Sequence, residues 1–169
     1  MKVFIEQQRF NQPLIIIGLS ITFIVVGASI FENWDQLTNG SLSSKIAGFS
    51  SLIIIILVAA FIFTIKLKTR IDEIGIHYQF YPLNRSYKSI LWNEMKLVEV
   101  RTYDAIWEYG GWGMKFTFFK KKNKCYTIKG DKGIQVELKN GQRILFGTQL
   151  KTKLQRTLDQ YKLKINEGA

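Results

Sequence analysis

The chain has one cysteine, one histidine and two prolines in 169 residues. A lone Cys125 cannot close an intrachain disulfide, which suits a reducing compartment. One Cys and one His cannot supply the usual ligand set of a zinc site. Asp72, Glu73 and Asp104 lack the spacing of a calcium loop, so no metal or cofactor is expected. Two prolines and no low-complexity tract leave no long disordered linker. Charge is missing altogether from two long stretches. Pro13 to Phe31 and Ile46 to Ile65 contain no Asp, Glu, Lys or Arg over 19 and 20 residues.

At 1.5 Å per residue each stretch can cross a hydrocarbon core of about 30 Å. Core helices of water-soluble proteins seldom run this long uncharged, so the reading is two transmembrane helices. The connection Glu32 to Lys45 is polar and short, so the spans are expected to form an antiparallel hairpin. The spans also lack the intramembrane ionisable groups that ion or proton pathways use. No GxxxG occurs, although Gly18, Gly27 and Gly48 permit close helix contact. Val26-Gly27-Ala28 resembles a small-residue cleavage site, which leaves a cleaved signal peptide as the alternative for the first stretch.

Acidic residues are scarce in the remainder. Residues 66–169 carry 21 Lys and Arg against 10 Asp and Glu, whereas residues 1–65 are neutral, so the whole net charge of +11 belongs to the second part. Lys66, Lys68 and Arg70 follow the second span, Lys2 and Arg9 precede the first, and the connecting loop has only Lys45. The positive-inside rule then places both termini in the cytosol of a multi-pass inner-membrane protein. The expected order is a lead-in at 1–12, spans at 13–31 and 46–65, an extracytosolic loop at 32–45, and a cytosolic domain at 66–169.

That domain shows a period of two. Ile76, Tyr78 and Phe80 alternate with His77 and Gln79. Leu97, Glu99 and Arg101 alternate with Val98 and Val100. Met114, Phe116 and Phe118 alternate with Lys115 and Thr117, and Ile134, Val136 and Leu138 with Gln135 and Glu137. Such alternation predicts half-buried antiparallel strands, about seven or eight in all. Around Asn140-Gly141, a three-residue loop with Gly141 in the left-handed region pairs Val136 with Ile144 and Ile134 with Phe146. The two-residue alternative puts Arg143 on the apolar face, so the three-residue loop is preferred. Leu150, Leu154, Leu158, Tyr161 and Ile165 then mark one face of a closing amphipathic helix, with Thr148 as its N-cap and Lys162 on its other side.

Thr69-Arg70-Ile71-Asp72-Glu73-Ile74-Gly75-Ile76, the element Ile90-Leu91-Trp92-Asn93-Glu94-Met95, and Gly147-Thr148 before the helix resemble the pleckstrin-homology-like (PH-like) domains of bacterial membrane proteins. Glu6 to Gln12 is similar to the lead-in of two-span members. The spacing to Gly75 is longer than in that family, by Arg70 and Ile71. The resemblance implies a curled β sandwich or barrel capped by a C-terminal helix on a membrane-attached scaffold. It implies no catalytic residue.

Two constellations stand out. Trp107, Tyr109 and Trp112 share a stretch with Gly110, Gly111 and Gly113. Either the aromatics finish the core of a turn or they form a partner surface. The spacing differs from a nucleotide-binding loop, and no Lys-Ser or Lys-Thr follows. Lys120, Lys121, Lys122 and Lys124 form a basic hairpin tip. Together with Lys66, Lys68 and Arg70 they are candidates for anionic headgroups. His77 reads as an ordinary strand histidine, and Cys125 as a small strand residue. The expectation is a non-enzymatic, membrane-anchored interaction or scaffold module binding a protein partner, itself or anionic lipid. The alternative is an accessory subunit of a transport or secretion complex working through its spans. Charge tethered at a membrane without a recognition motif disfavours nucleic acid.

Overall fold

A computed structural model describes residues 3–116 and 123–167, and the chain divides into two compact units. One unit spans Phe10–Thr64. The other joins the N-terminal segment up to Arg9 with everything from Ile65 onward.

The first unit is a helical hairpin: α1 (Pro13–Glu32), a short α2 (Trp34–Asn39) and α3 (Leu42–Thr64). Pro13 opens α1, where its missing N–H is no loss. Both long helices are apolar enough to cross a membrane, and neither has a buried residue. The connection is more ordered than a polar turn. Asn33 Nδ2 donates to the Ser29 carbonyl (2.8 Å), and the Ser44 N–H reaches Ser41 Oγ (3.4 Å) at the start of α3. Leu37 is buried, with its side chain over Gly48, where a Cβ would collide with it. Helix α3 begins at Leu42, four residues ahead of the uncharged stretch Ile46 to Ile65.

The second unit begins before the hairpin. Residues 4–9, expected as part of a lead-in, are strand β1 (Phe4–Arg9). It pairs antiparallel with β2 (Lys66–Ile71), with Arg9 opposite Lys66 and Phe4 opposite Ile71. The domain is therefore not the contiguous 66–169. The helical hairpin is inserted between two neighbouring strands of one sheet. The strand was illegible because its inward positions are Phe4, Glu6 and Gln8, while Ile5 faces out. The start of the C-terminal segment partners Glu6 and the Gln8 amide N–H, while the buried Gln8 Oε1 has no partner among the described residues. Glu6 accepts from Thr148 Oγ1 (2.6 Å) and the Gln149 N–H (2.7 Å), and Gln8 Nε2 donates to the Gly147 carbonyl (2.7 Å).

β3 (Gly75–Tyr81) and β4 (Lys88–Leu91) complete a four-stranded sheet in the order β1-β2-β3-β4. A 3₁₀ turn at Trp92–Glu94 leads into β5 (Met95–Thr102). Then follow β6 (Gly113–Phe116), β7 (Asn123–Thr127), β8 (Lys132–Leu138) and β9 (Arg143–Gly147) in a five-stranded sheet of order β5-β8-β9-β7-β6. Nine strands thus exist among the described residues, in two separate sheets rather than a closed barrel. One pairing, β7 with β9, is parallel, because β9 enters between the consecutive strands β7 and β8.

The expected turn register is observed: Val136 faces Ile144, Ile134 faces Phe146, and Gly141 has φ 78°. The core lies between the sheets. Tyr78 on β3 meets Phe146 on β9 and Tyr126 on β7, with ring centroids 4.7 and 5.0 Å apart. Leu67, Ile71, Ile76, Phe80, Ile134 and Val136 are all buried with them.

Helix α4 (Lys151–Glu167) packs against β5, the 3₁₀ turn and β1 through Leu154, Leu158 and Tyr161. Tyr161 stacks on Trp92 at 5.4 Å, and Trp92 Nε1 donates to the Asp72 carbonyl. Leu150 is exposed, ahead of the helix. The first helical bond runs from Leu154 N–H to Leu150 C=O, so Thr148 is not the N-cap. Its hydroxyl accepts the Leu150 N–H (3.0 Å) and hands its own proton to Glu6, tying the helix entrance to β1. Ile165 and Lys162 fall outside the described side chains.

Candidate functional site

Strand alternation sends one face of the five-stranded sheet into the core and leaves the other outward. The segment from Tyr103 to Trp112 folds back over that outward face. Asp104 begins it: its Oδ1 accepts the N–H groups of Ile106 and Trp107, both at 2.9 Å. Gly110, Gly111 and Gly113 all have positive φ, which lets the chain double back within four residues. Tyr103 and Ala105 pack with Cys125 and Leu145 in a second, smaller core, and Tyr109 and Trp112 lie against it. Trp112 Nε1 also donates to the Gly130 carbonyl (3.0 Å). Tyr109 and Trp112 are thus partly buried against this core. Trp107 is different: it is 88% exposed, beside a 56% exposed Ile106.

Next to this small core is a polar cavity of about 270 Å³, lined by Arg101, Glu108, Tyr109, Asn123, Lys124, Gln135 and Arg143. Five segments supply these residues, so the cavity exists only once β7, β8 and β9 lie side by side. Arg101 is its centre. Its Nη1 and Nη2 grip the two carboxylate oxygens of Glu108 at 3.2 and 2.8 Å. Nη2 also reaches Tyr109 Oη (3.0 Å), and Nε reaches Gln135 Oε1 (3.2 Å). The hydrogen bond from Arg101 holds the Glu108 carboxyl below its ordinary range against a smaller effect of burial, and Glu108 in turn raises Arg101. The neighbouring Asp104 N–H also donates to Glu108 Oε1 (3.0 Å). Arg143 is shared with Glu137 (2.9 Å), which lies opposite it on β8 and also holds Lys96 (3.2 Å). Lys124 has no ion-pair partner among the described residues.

Of the basic tip, Lys120, Lys121 and Lys122 lie outside the described residues, and Lys124 is in the cavity wall. Lys66, Lys68 and Arg70 alternate on β2 with the buried Leu67, Thr69 and Ile71, so they belong to the outward face of the other sheet. Cys125 is buried in the small core. Burial pushes its thiol up to about 12.

The structure also assembles residues that spacing left apart. His77 and Ser89 are direct partners across β3 and β4. His77 Nδ1 is 2.6 Å from Ser89 Oγ, and His77 Nε2 is 3.0 Å from Asp72 Oδ1. Burial drives the Asp72 carboxyl up. The Ile74 N–H, His77 and the Gly75 N–H outweigh that and hold it below its ordinary range. Arg70 Nε adds an ion pair at 3.1 Å. The order Asp-His-Ser is that of an activated nucleophile, so His77 is more than an isolated strand histidine. Ser89, however, sits within a strand rather than at a turn. Successive strand amides point to opposite sides, so they do not converge on its hydroxyl as oxyanion donors. The network fixes the Asp72–Gly75 turn and the β3–β4 rung.

Sequence reasoning passed over Arg101, Glu108, Gln135 and Arg143. The available signal was Glu108: one carboxylate inside an aromatic, glycine-rich stretch, seven residues after an arginine. Among the described residues no cluster of three His, Cys, Asp or Glu side chains could hold a metal. The chain matches no protein-family model, and no curated protein or solved structure is similar to it.

Proposed function

We propose that the chain is a non-enzymatic, membrane-anchored binding module of the inner membrane, with both termini cytosolic and a PH-like β unit that engages anionic lipid headgroups. The observation that carries this reading is the polar cavity around Arg101 and Arg143, built into a unit tethered to the spans by very short connections. Three residues separate β1 from α1, and one separates α3 from β2. Basic groups near an anionic bilayer each contribute about 1 kcal/mol. The exposed Trp107 and Ile106 suit a boundary between water and lipid.

Two measurements test it. A reporter fused after Ala169 is expected to be cytosolic, and one inserted between Glu32 and Lys45 exported; the reverse topology removes the reading. A photoreactive amino acid replacing Trp107 in native membranes is expected to capture lipid, with yield falling as salt rises. Capture of protein alone, unaffected by salt, rejects lipid and favours a partner-protein role for this surface.

A further inference from the structure

We infer that the chain pairs with a second copy of itself through the open edge of β5, in an antiparallel two-fold arrangement with Val100 on the axis. The inference does not rest on the headgroup reading above, and either can fail without the other.

Among the described residues the two sheets have four edge strands, β1, β4, β5 and β6. β5 is the longest, with eight residues against six in β1 and four each in β4 and β6. Hydrogen-bond alternation identifies which of its backbone groups are open. The Tyr103 N–H donates to the Asp131 carbonyl (2.8 Å), in the register that sets Arg101 opposite Gly133 and Glu99 opposite Gln135. In an antiparallel ladder, residues that bond one neighbour alternate with residues whose N–H and C=O point the other way. Arg101 and Glu99 therefore bond β8. Val98, Val100 and Thr102 turn their groups to the edge, where no further strand stands among the described residues. The Thr102 carbonyl takes Arg101 Nη1 there, at 3.4 Å. Natural sheets blunt such edges with lysine, proline or a bulge. β5 has Lys96 at a register break between Met95 and Leu97, but residues 98–102 contain neither Lys nor Pro and keep one register.

The side chains then choose the occupant. Val98 and Val100 lie on the core face, opposite Val136 and Ile134, yet they are only half-buried. Glu99 and Arg101 lie on the other face. Glu99 is exposed and in no ion pair among the described residues. An antiparallel copy centred on Val100 sets Val100 against Val100, Val98 against Thr102, and Glu99 against Arg101 on both sides of the axis. Side chains directly opposite have Cβ atoms about 4.5–5.5 Å apart, where opposite charges stabilise and like charges destabilise. Glu99 thereby gains a cation, and Arg101, already holding Glu108, is shared between two carboxylates. The half-buried valines of the two copies meet on the core face. Neighbouring registers fail. An axis at Glu99 or at Arg101 sets like charges opposite each other, and an axis at Val98 sets Glu99 against Leu97. Residues 98–102 are thus self-complementary in one register, which is what a two-fold interface requires. The open groups of Val98, Val100 and Thr102 face those of the second copy, so the pairing extends the five-stranded sheet across the axis.

The test places single cysteines in the full chain, in a Cys125→Ala background, and oxidises native membranes mildly. Opposite Cα atoms of a hydrogen-bonded pair are about 5.5 Å apart, inside the roughly 4.4–6.8 Å that a disulfide spans. Val100→Cys should give a disulfide dimer. Val98→Cys and Thr102→Cys should each give about tenfold less when expressed alone, and should match Val100→Cys when expressed together. Two further variants probe the contact through that co-expressed pair. Val100→Pro removes an N–H that points to the edge and not to β8, so the chain should keep its protease resistance and lose the dimer. Glu99→Lys sets a cation opposite Arg101 and should lower the dimer yield about tenfold, which tests the contact even if Val100→Pro does not fold. No crosslink at Val100, equal crosslinking at all three positions, or a dimer indifferent to Glu99→Lys overturns the inference. Such a failure leaves the headgroup reading standing. Salt-insensitive capture of protein alone at Trp107 removes that reading and leaves the β5 pairing untouched.

Discussion

Glu6 and Thr148 are 142 residues apart in sequence and share a 2.6 Å hydrogen bond in the interior of the β unit. The same carboxylate takes the Gln149 N–H through its other oxygen. This clasp ties the strand before the first membrane helix to the entrance of the last helix. Glu6→Ala leaves the Gln149 N–H without its acceptor, and a buried donor left unpaired costs about 1–3 kcal/mol. The full chain in detergent should show a Tm lower by several degrees, with Glu6→Gln intermediate because one oxygen acceptor is retained. An unchanged Tm in Glu6→Ala would mean that the clasp contributes nothing net.

Because β1 belongs to the β unit, a fragment of residues 69–169 lacks both β1 and the first half of β2. It leaves one side of β3 without a complete partner and uncovers the core under Phe4 and Leu67, both buried. That fragment should be disordered by circular dichroism. Residues 1–10 joined to 65–169 through a short Asn-Gly turn restore the Arg9–Lys66 pairing and should give a water-soluble, cooperatively melting unit. Equal stability of the two would remove β1 from the folding unit.

Leu154 is fully buried on α4. Leu154→Asp places an unpaired carboxylate there at a cost of several kcal/mol, comparable with the whole stability of a small domain. Protease resistance of residues 65–167 should be lost, while the apolar hairpin 13–64 still inserts. A resistant variant would contradict the closing role of α4.

Cys125 provides a pH test. Its unfolded thiol titrates near the ordinary value of about 8.5, whereas the folded one is pushed up to about 12 by burial. The thiol is neutral in both states below the lower value, so no stability is lost there. Above it, the unfolded state sheds the proton first, and stability declines by up to about 1.4 kcal/mol per pH unit until the folded thiol also ionises. The wild-type chain should therefore lose Tm faster between pH 9 and 11 than Cys125→Ala, and native Cys125 should resist maleimide at pH 8. Rapid native labelling would show the site to be open.

Several features were present in local order along the chain. Uncharged lengths in Pro13–Phe31 and Ile46–Ile65 marked the two long helices. Alternation marked β3 and β8, where apolar residues take the inward positions. The Asn140-Gly141 register followed from the same rule, since any slip would bury Arg143. Each of these depends on neighbours within about ten residues. β1 escaped because Glu6 and Gln8 face inward, and only their partners at Gly147, Thr148 and Gln149 make those positions tolerable. The Arg101 cavity escaped for a related reason. Its walls come from β5, β7, β8, β9 and the segment over them, and the parallel β7–β9 pairing that brings Lys124 near Arg143 has no local signature. Sequence determined which segments are apolar, alternating or basic, because hydrophobic burial and strand geometry act residue by residue. Only the tertiary structure decided which polar residues are buried and which charges meet, because a buried polar group is stable only through partners that distant parts of the chain supply.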